Sequence, residues 1–126
     1  MTEVLWRDDP EAHDYPAAAD YLALLADQSL VDHIVTLLRR APIVQKKAKD
    51  ILRAARLDLL PTTNPHVAKD LAKIEKGKAL SPVLLVRGDL RAGIPLQIAD
   101  GYHRVCASTW TDENTPIPAK LVFLPR

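Results

Sequence analysis

Five consecutive residues, Asp100-Gly101-Tyr102-His103-Arg104, bring together the side chains of this sequence best suited to chemistry. An apolar run precedes them and the small-residue run Val105-Cys106-Ala107-Ser108 follows, the pattern of a strand that turns directly into a helix. At such a junction a glycine lets the backbone come close to a bound group, and the unpaired amides of the first helical turn attract anions. Arg104 adds a planar fork suited to phosphate oxygens. His103 adds a hydrogen-bond donor or a general acid/base that titrates near neutral pH. The expected chemistry is recognition of phosphate, with Gly101, Tyr102, His103 and Arg104 as the binding residues and His103 and Asp100 as the catalytic candidates. Asp100 has two open tasks, to orient His103 or Arg104 or to support a metal that accompanies nucleotide phosphates, and orientation is the expectation. A plainer arrangement uses the same residues: Arg104 pairs with Asp100, and His103 packs at the turn.

Other chemistries find less support. His13, His33, His66 and His103 show no paired ligand spacing and there is a single cysteine, so no metal site is expected. Ser29, Ser81 and Ser108 lack the elbow motif of a nucleophilic serine. Cys106 reads as a small buried helix residue rather than a reactive thiol. Arg87-Gly88-Asp89 reads as a polar hairpin turn, and Trp110 as cover for the core behind the junction helix.

Several elements must position the junction. Residues 1–16 read as an irregular lead-in, followed by a helix from Ala17 to Ala26 and a second from about Leu30 to Arg40 with Ser29 as N-cap. This helical hairpin, residues 17–40, either caps the core or offers a surface to a second copy or a protein partner. Apolar spacing at Val44, Ala48, Ile51, Leu52 and Ala55 predicts a third helix over residues 44–55. Leu57 to Pro61 reads as a short strand or an extended entry. Asn64 caps a helix that Pro65 opens and Gly77 closes. Pro82-Val83-Leu84-Leu85-Val86 reads as a buried strand, Leu96 to Ala99 as its hairpin partner, and Ala119 to Leu124 as a last strand. Helices followed by strands around one helix argue for α+β.

At 126 residues, with 48% hydrophobic and 26% charged residues, the chain is long enough for one folded domain. No apolar run reaches the length needed to span a bilayer and no secretion signal is read at the start, so a cytoplasmic location without membrane contact is expected. The net charge of +1 hides a segregation. Residues 1–38 hold eight acidic side chains against Arg7 alone, whereas residues 39–78 hold eleven basic against four acidic. Either the acidic segment folds back on the basic one, or the basic segment faces nucleic acid, nucleotide or an acidic partner.

Read from about Leu57, the order of extended segment, Asn64-Pro65 helix, Pro82-Val83-Leu84-Leu85-Val86 strand, hairpin, Gly-X-His-Arg helix and Ile117-Pro118-Ala119-Lys120-Leu121-Val122 strand resembles the ParB/sulfiredoxin superfamily. The resemblance covers residues 50 to 124. It implies a small mixed sheet with packed helices over residues 43–126, preceded by an N-terminal helical extension over residues 1–42. It also implies a nucleotide or another phosphorylated small molecule as ligand, a nucleoside triphosphate with Mg²⁺ among the candidates, and phosphoryl transfer or nucleotide hydrolysis as the reaction. Sulfiredoxins place a catalytic cysteine directly before the His-Arg pair. Here that position is Tyr102, a phenol with an ordinary pKa of about 10 and a poor substitute for a thiolate, so sulfinic-acid reduction is not expected. In these proteins the Asn-Pro helix supplies basic and hydroxyl contacts to nucleotide. The nearest matching positions, Val67 and Asp70, perform neither role. Lys69 and Lys73, one turn apart, and Thr62 and Thr63 in the preceding loop are the substitutes, although the lysines read equally well as a solvated helix face. ParB proteins of the chromosome-partition type carry a helix-turn-helix module after this domain; none is expected before the end at Arg126, which makes DNA a weaker expectation than nucleotide. The alternative is a non-enzymatic module that retains the fold and binds protein or DNA.

Overall fold

Every side chain of Val83-Leu84-Leu85-Val86 is buried, and because successive strand residues face opposite ways this requires a sheet covered on both sides. The computed structural model describes residues 3–124. In chain order its elements are α1 (Asp14–Leu22), α2 (Gln28–Arg40), β1 (Ile43–Lys47), α3 (Ala48–Ala55), α4 (Pro65–Glu75), β2 (Val83–Val86), β3 (Gln97–Asp100), α5 (Tyr102–Thr111) and β4 (Pro116–Val122). The four strands form one mixed sheet in the order β1-β4-β2-β3. β2 runs parallel to β4, with Val83 opposite Ala119, and antiparallel to β3, with Leu85 opposite Ile98. β1 pairs antiparallel with β4, Ile43 facing Lys120. The fold is α+β, with five helices and a four-stranded mixed sheet among the described residues.

The alternation along β2 divides the core in two. Val83 and Leu85, with Ile98, Ile117 and Ala119, pack beneath α3, α4 and α5. Leu84 and Val86, with Ala99 and Val122, pack beneath α1 and α2. Of the two roles open to the helical hairpin, capping the core is the one its buried face performs: Tyr15, Ala18 and Leu22 from α1 and Val31, Ile34 and Leu38 from α2 lie on the sheet. Lys120 of β4 ties this layer down, since its buried Nζ donates to Arg39 O, 2.8 Å away in the last turn of α2, where a helix favours cations. The outer ends of the expected 1–42 and 43–126 segments, residues 1–2 and 125–126, lie outside the described residues.

Several expectations shift. The helix expected from Ala17 begins at Asp14, whose buried carboxylate accepts from Glu11 N at 3.0 Å and from the Ser81 hydroxyl. The N-cap of α2 is Asp27 rather than Ser29; Asp27 accepts from Leu30 N at 2.9 Å, and Ser29 lies inside the helix. The continuous helix expected over residues 44–55 is a strand followed by a helix. Ile43 and Val44 suit a strand, the free edge of β4 pairs with it, and the four-residue step from Val44 to Ala48 imitates helical spacing across the join. Trp110 is half-exposed and does not close the core; its indole N–H donates to Leu60 O at 2.8 Å. The acidic segment does not neutralise the basic one through ion pairs: among the described residues none joins an acidic side chain of residues 3–38 to a basic side chain of residues 39–78.

If the α1–α2 layer belongs to one cooperative unit with the sheet, truncating its buried face lowers global stability. Leu38→Ala is expected to cost about 3 kcal/mol in urea denaturation, whereas Leu24→Ala, at an exposed turn, stays within about 0.5 kcal/mol.

Candidate functional site

The junction between β3 and α5 is a single residue. Gly101 caps α5 with φ +112°, a conformation that L side chains rarely adopt, and a Cβ there would lie within 2.9 Å of Val83 Cβ on the neighbouring strand. No side chain caps the helix start, so the amides of the first turn remain open to solvent or to a ligand. Immediately across the turn, Arg104 Nη2 lies 2.7 Å from Asp100 Oδ2 and 3.3 Å from Pro82 O. The pairing expected under the plainer arrangement is therefore formed. It leaves Arg104 Nε buried without a partner.

His103 is not packed away. Its ring sits 4.6 Å, centroid to centroid, from that of His66 on α4, and both line a cleft of about 180 Å³ between α4 and the junction. Lys69, Asp70 and Lys73 complete the α4 side; Asp100, Gly101 and Arg104 form the other. The α4 side follows from sequence spacing, because positions 66, 69, 70 and 73 fall on one helical stripe. Asn64 fixes the start of that stripe by accepting from His66 N at 3.0 Å and Val67 N at 3.2 Å, with Pro65 in the first turn.

Electrostatics in the cleft are set by burial. Burial pushes the Asp100 carboxyl above the ordinary carboxylate range, and Arg104 opposes the rise without cancelling it. Asp70 rises for the same reason, opposed by Arg104, Lys73, His103 and Lys69. Burial pulls His103 below its ordinary value and the neighbouring His66 adds to the fall, which favours the neutral imidazole, a form that can accept a proton. Three lasting cations, Lys69, Lys73 and Arg104, thus face two carboxylates around a neutral imidazole and an open helix start. Such a cleft carries the elements that attract an anion, beside a group able to take up a proton.

Of the residues singled out in the sequence, Asp100, Gly101, His103, Arg104, Lys69 and Lys73 come together in the cleft. Tyr102 does not line it: its hydroxyl donates to Asp58 O at 2.6 Å, and burial raises the phenol further above its ordinary value. Thr62 and Thr63 are exposed in the turn before α4 and also lie outside the cleft lining. Cys106 is wholly buried with its thiol pushed up by burial, the opposite of an activated cysteine. His66 and Asp70 are additions that the stripe at 66, 69, 70 and 73 signals and that reading the motif alone passes over.

The Asp100–Arg104 pair gives a measurable pH dependence. Arg104→Leu is expected to lower stability by about 2 kcal/mol at pH 7, because it leaves a mostly buried carboxylate without its cation. Asp100 has its folded pKa raised above the unfolded value, so the native state holds the proton more tightly. Stability lost to the bare carboxylate is therefore regained as pH falls through the raised folded pKa toward the unfolded value of about 3.9. Urea denaturation of the variant against wild type across that range checks the sign. Comparison of the chain with family models, with curated proteins and with solved structures found no match in any of the three.

Proposed function

We propose that this chain is a cytoplasmic ParB/sulfiredoxin-like domain that binds a nucleotide or another phosphorylated ligand at the start of α5. The observation that carries this reading is the closure of the His66-Lys69-Asp70-Lys73 stripe of α4 over the Gly101-His103-Arg104 helix start, in a single cleft. Open amides, three cations and a glycine that admits close backbone approach all address one small volume, which suits a phosphate group. At about 180 Å³ the cleft is smaller than the roughly 300–1,000 Å³ usual for small-molecule sites, so it holds phosphates and leaves the remainder of the ligand along the surface.

Within this reading Lys69, Lys73 and the helix start neutralise phosphate charge. Asp100 positions Arg104, and neutral His103 takes a proton from an attacking water or hydroxyl, in phosphoryl transfer or nucleotide hydrolysis. Among the described residues no three His, Cys, Asp or Glu side chains converge as a metal site, and Mg²⁺ accompanying a triphosphate would be held mainly by the phosphates themselves. One observation favours a binding module without turnover: Asp100 already engages the guanidinium, which leaves Arg104 less free to follow a developing transition-state charge.

Thermal unfolding with millimolar ATP, CTP, GTP or pyrophosphate, each with Mg²⁺, tests the binding claim. A ligand present at a hundred times its Kd stabilises by about 2.7 kcal/mol, which raises the Tm of a chain of this size by about 10 °C. Lys69→Ala with Lys73→Ala is expected to remove most of that shift without lowering the Tm of the free protein. Protonating His103 adds a cation, so affinity is expected to rise as pH falls from 7.5 through its lowered pKa, and to lose that dependence in His103→Gln. No shift with any of the four ligands contradicts the proposal.

A further inference from the structure

Two features on the molecule are left without a role by the phosphate cleft, and they complement one another. The first is the turn between α1 and α2. Leu24 and Leu25 sit there 82% and 59% exposed, flanked by the exposed Asp20 and Asp27, although surface turns are ordinarily polar. The second is a groove of about 500 Å³ beside α3, floored by Ile51, Leu85 and Leu96 and rimmed by Lys46, Arg53 and Arg87. Its walls are pinned. Leu96 N donates to Ala54 O at 3.0 Å, Arg56 Nη1 donates to Gly93 O at 3.2 Å, and the Pro95 backbone passes so close to Gly88 that a Cβ there would lie 2.6 Å from it. The one carboxylate at the rim, Asp50, is engaged by Lys49 at 3.0 Å and Arg53 at 3.6 Å. An apolar floor inside a cationic rim selects an apolar group carried between acidic side chains.

We propose that two copies of this chain associate by seating the Leu24-Leu25 turn of each in the α3 groove of the other, with Asp20 and Asp27 facing Lys46, Arg53 and Arg87. The segregation of charge along the sequence then has a use. Residues 3–38 form no ion pair with the cations of residues 39–78 in one copy, and the association supplies those partners from the second copy. Twofold symmetry uses the contact twice. The turn and groove lie outside the cleft lining, so this association stands apart from phosphate binding.

Sedimentation equilibrium on the full chain, from about 10 μM to about 1 mM, is expected to show the mass rising from one copy toward two, more weakly at high salt. Leu24→Asp with Leu25→Asp removes the turn, and Arg53→Glu with Arg87→Glu removes the groove rim. Each alters exposed side chains, leaves the far-ultraviolet circular dichroism unchanged, and is expected to weaken association by at least about tenfold. The decisive arm mixes the two variants in equal amounts. One intact turn then meets one intact groove, and a mixed dimer forms more tightly than either variant associates alone. A wild-type chain that stays monomeric throughout, association that survives either variant, or a mixture that behaves as its separate components overturns the proposal.

Discussion

The chain can pass from β3 into α5 only because position 101 carries no side chain. Val83 on the adjoining strand occupies the space a Cβ would take, and φ of +112° is reached without strain only by glycine. Much else hangs on that turn. It lays α5 down on the sheet with Val105, Cys106, Ala107 and Ser108 buried, and it sets the uncapped first turn beside the cleft that α4 lines. It also brings Asp100, the last residue of β3, within 2.7 Å of Arg104 in the first turn of α5, so that one ion pair spans the change of direction. The same constraint that closes the core on one side of the sheet thereby opens an anion-attracting helix start at its edge.

Burial gives that edge its chemical character. The Asp100 and Asp70 carboxyls and the His103 imidazole are all drawn toward their neutral forms; Arg104 acts against that pull at Asp100, and Arg104, Lys73 and Lys69 act against it at Asp70. An arrangement in which neighbouring titratable groups are pushed toward neutrality and held beside lasting positive charge is suited to receiving an anion and moving a proton near it. No activated thiol stands beside it among the described residues. Tyr102, in the position before the His-Arg pair, turns its hydroxyl to the Asp58 carbonyl, and Cys106, one turn later, lies in the core.

Local chemistry that writes itself into single residues was legible in the sequence. The Asn64-Pro65 start of α4, the Gly77 end, the buried β2 run and the Gly101 junction all stand where their side chains dictate. Legibility failed where tertiary partners decide. Ile43 to Lys47 become a strand because the edge of β4 is there to pair with them, information held some seventy residues away. The cap of α2 falls on Asp27 rather than the expected Ser29 because the Asp27 carboxylate reaches Leu30 N, which depends on where the helix starts in the folded chain. In the cleft, the motif residues were visible as a cluster along the chain. His66 and Asp70 join them only through the packing of α4 on α5, which places their helical stripe with Lys69 and Lys73 against the junction.

The central claim is that the α5 helix start and the α4 stripe form one phosphate site. The most direct measurement is a titration of the ¹⁵N-labelled chain with pyrophosphate, followed by nuclear magnetic resonance of backbone amides and histidine rings. The account predicts saturable shifts centred on the amides of Tyr102, His103 and Arg104 and on the His66 and His103 rings, with the α3 groove undisturbed. Shifts that leave residues 101–104 unmoved, or that spread over the basic surface without saturating, would contradict it.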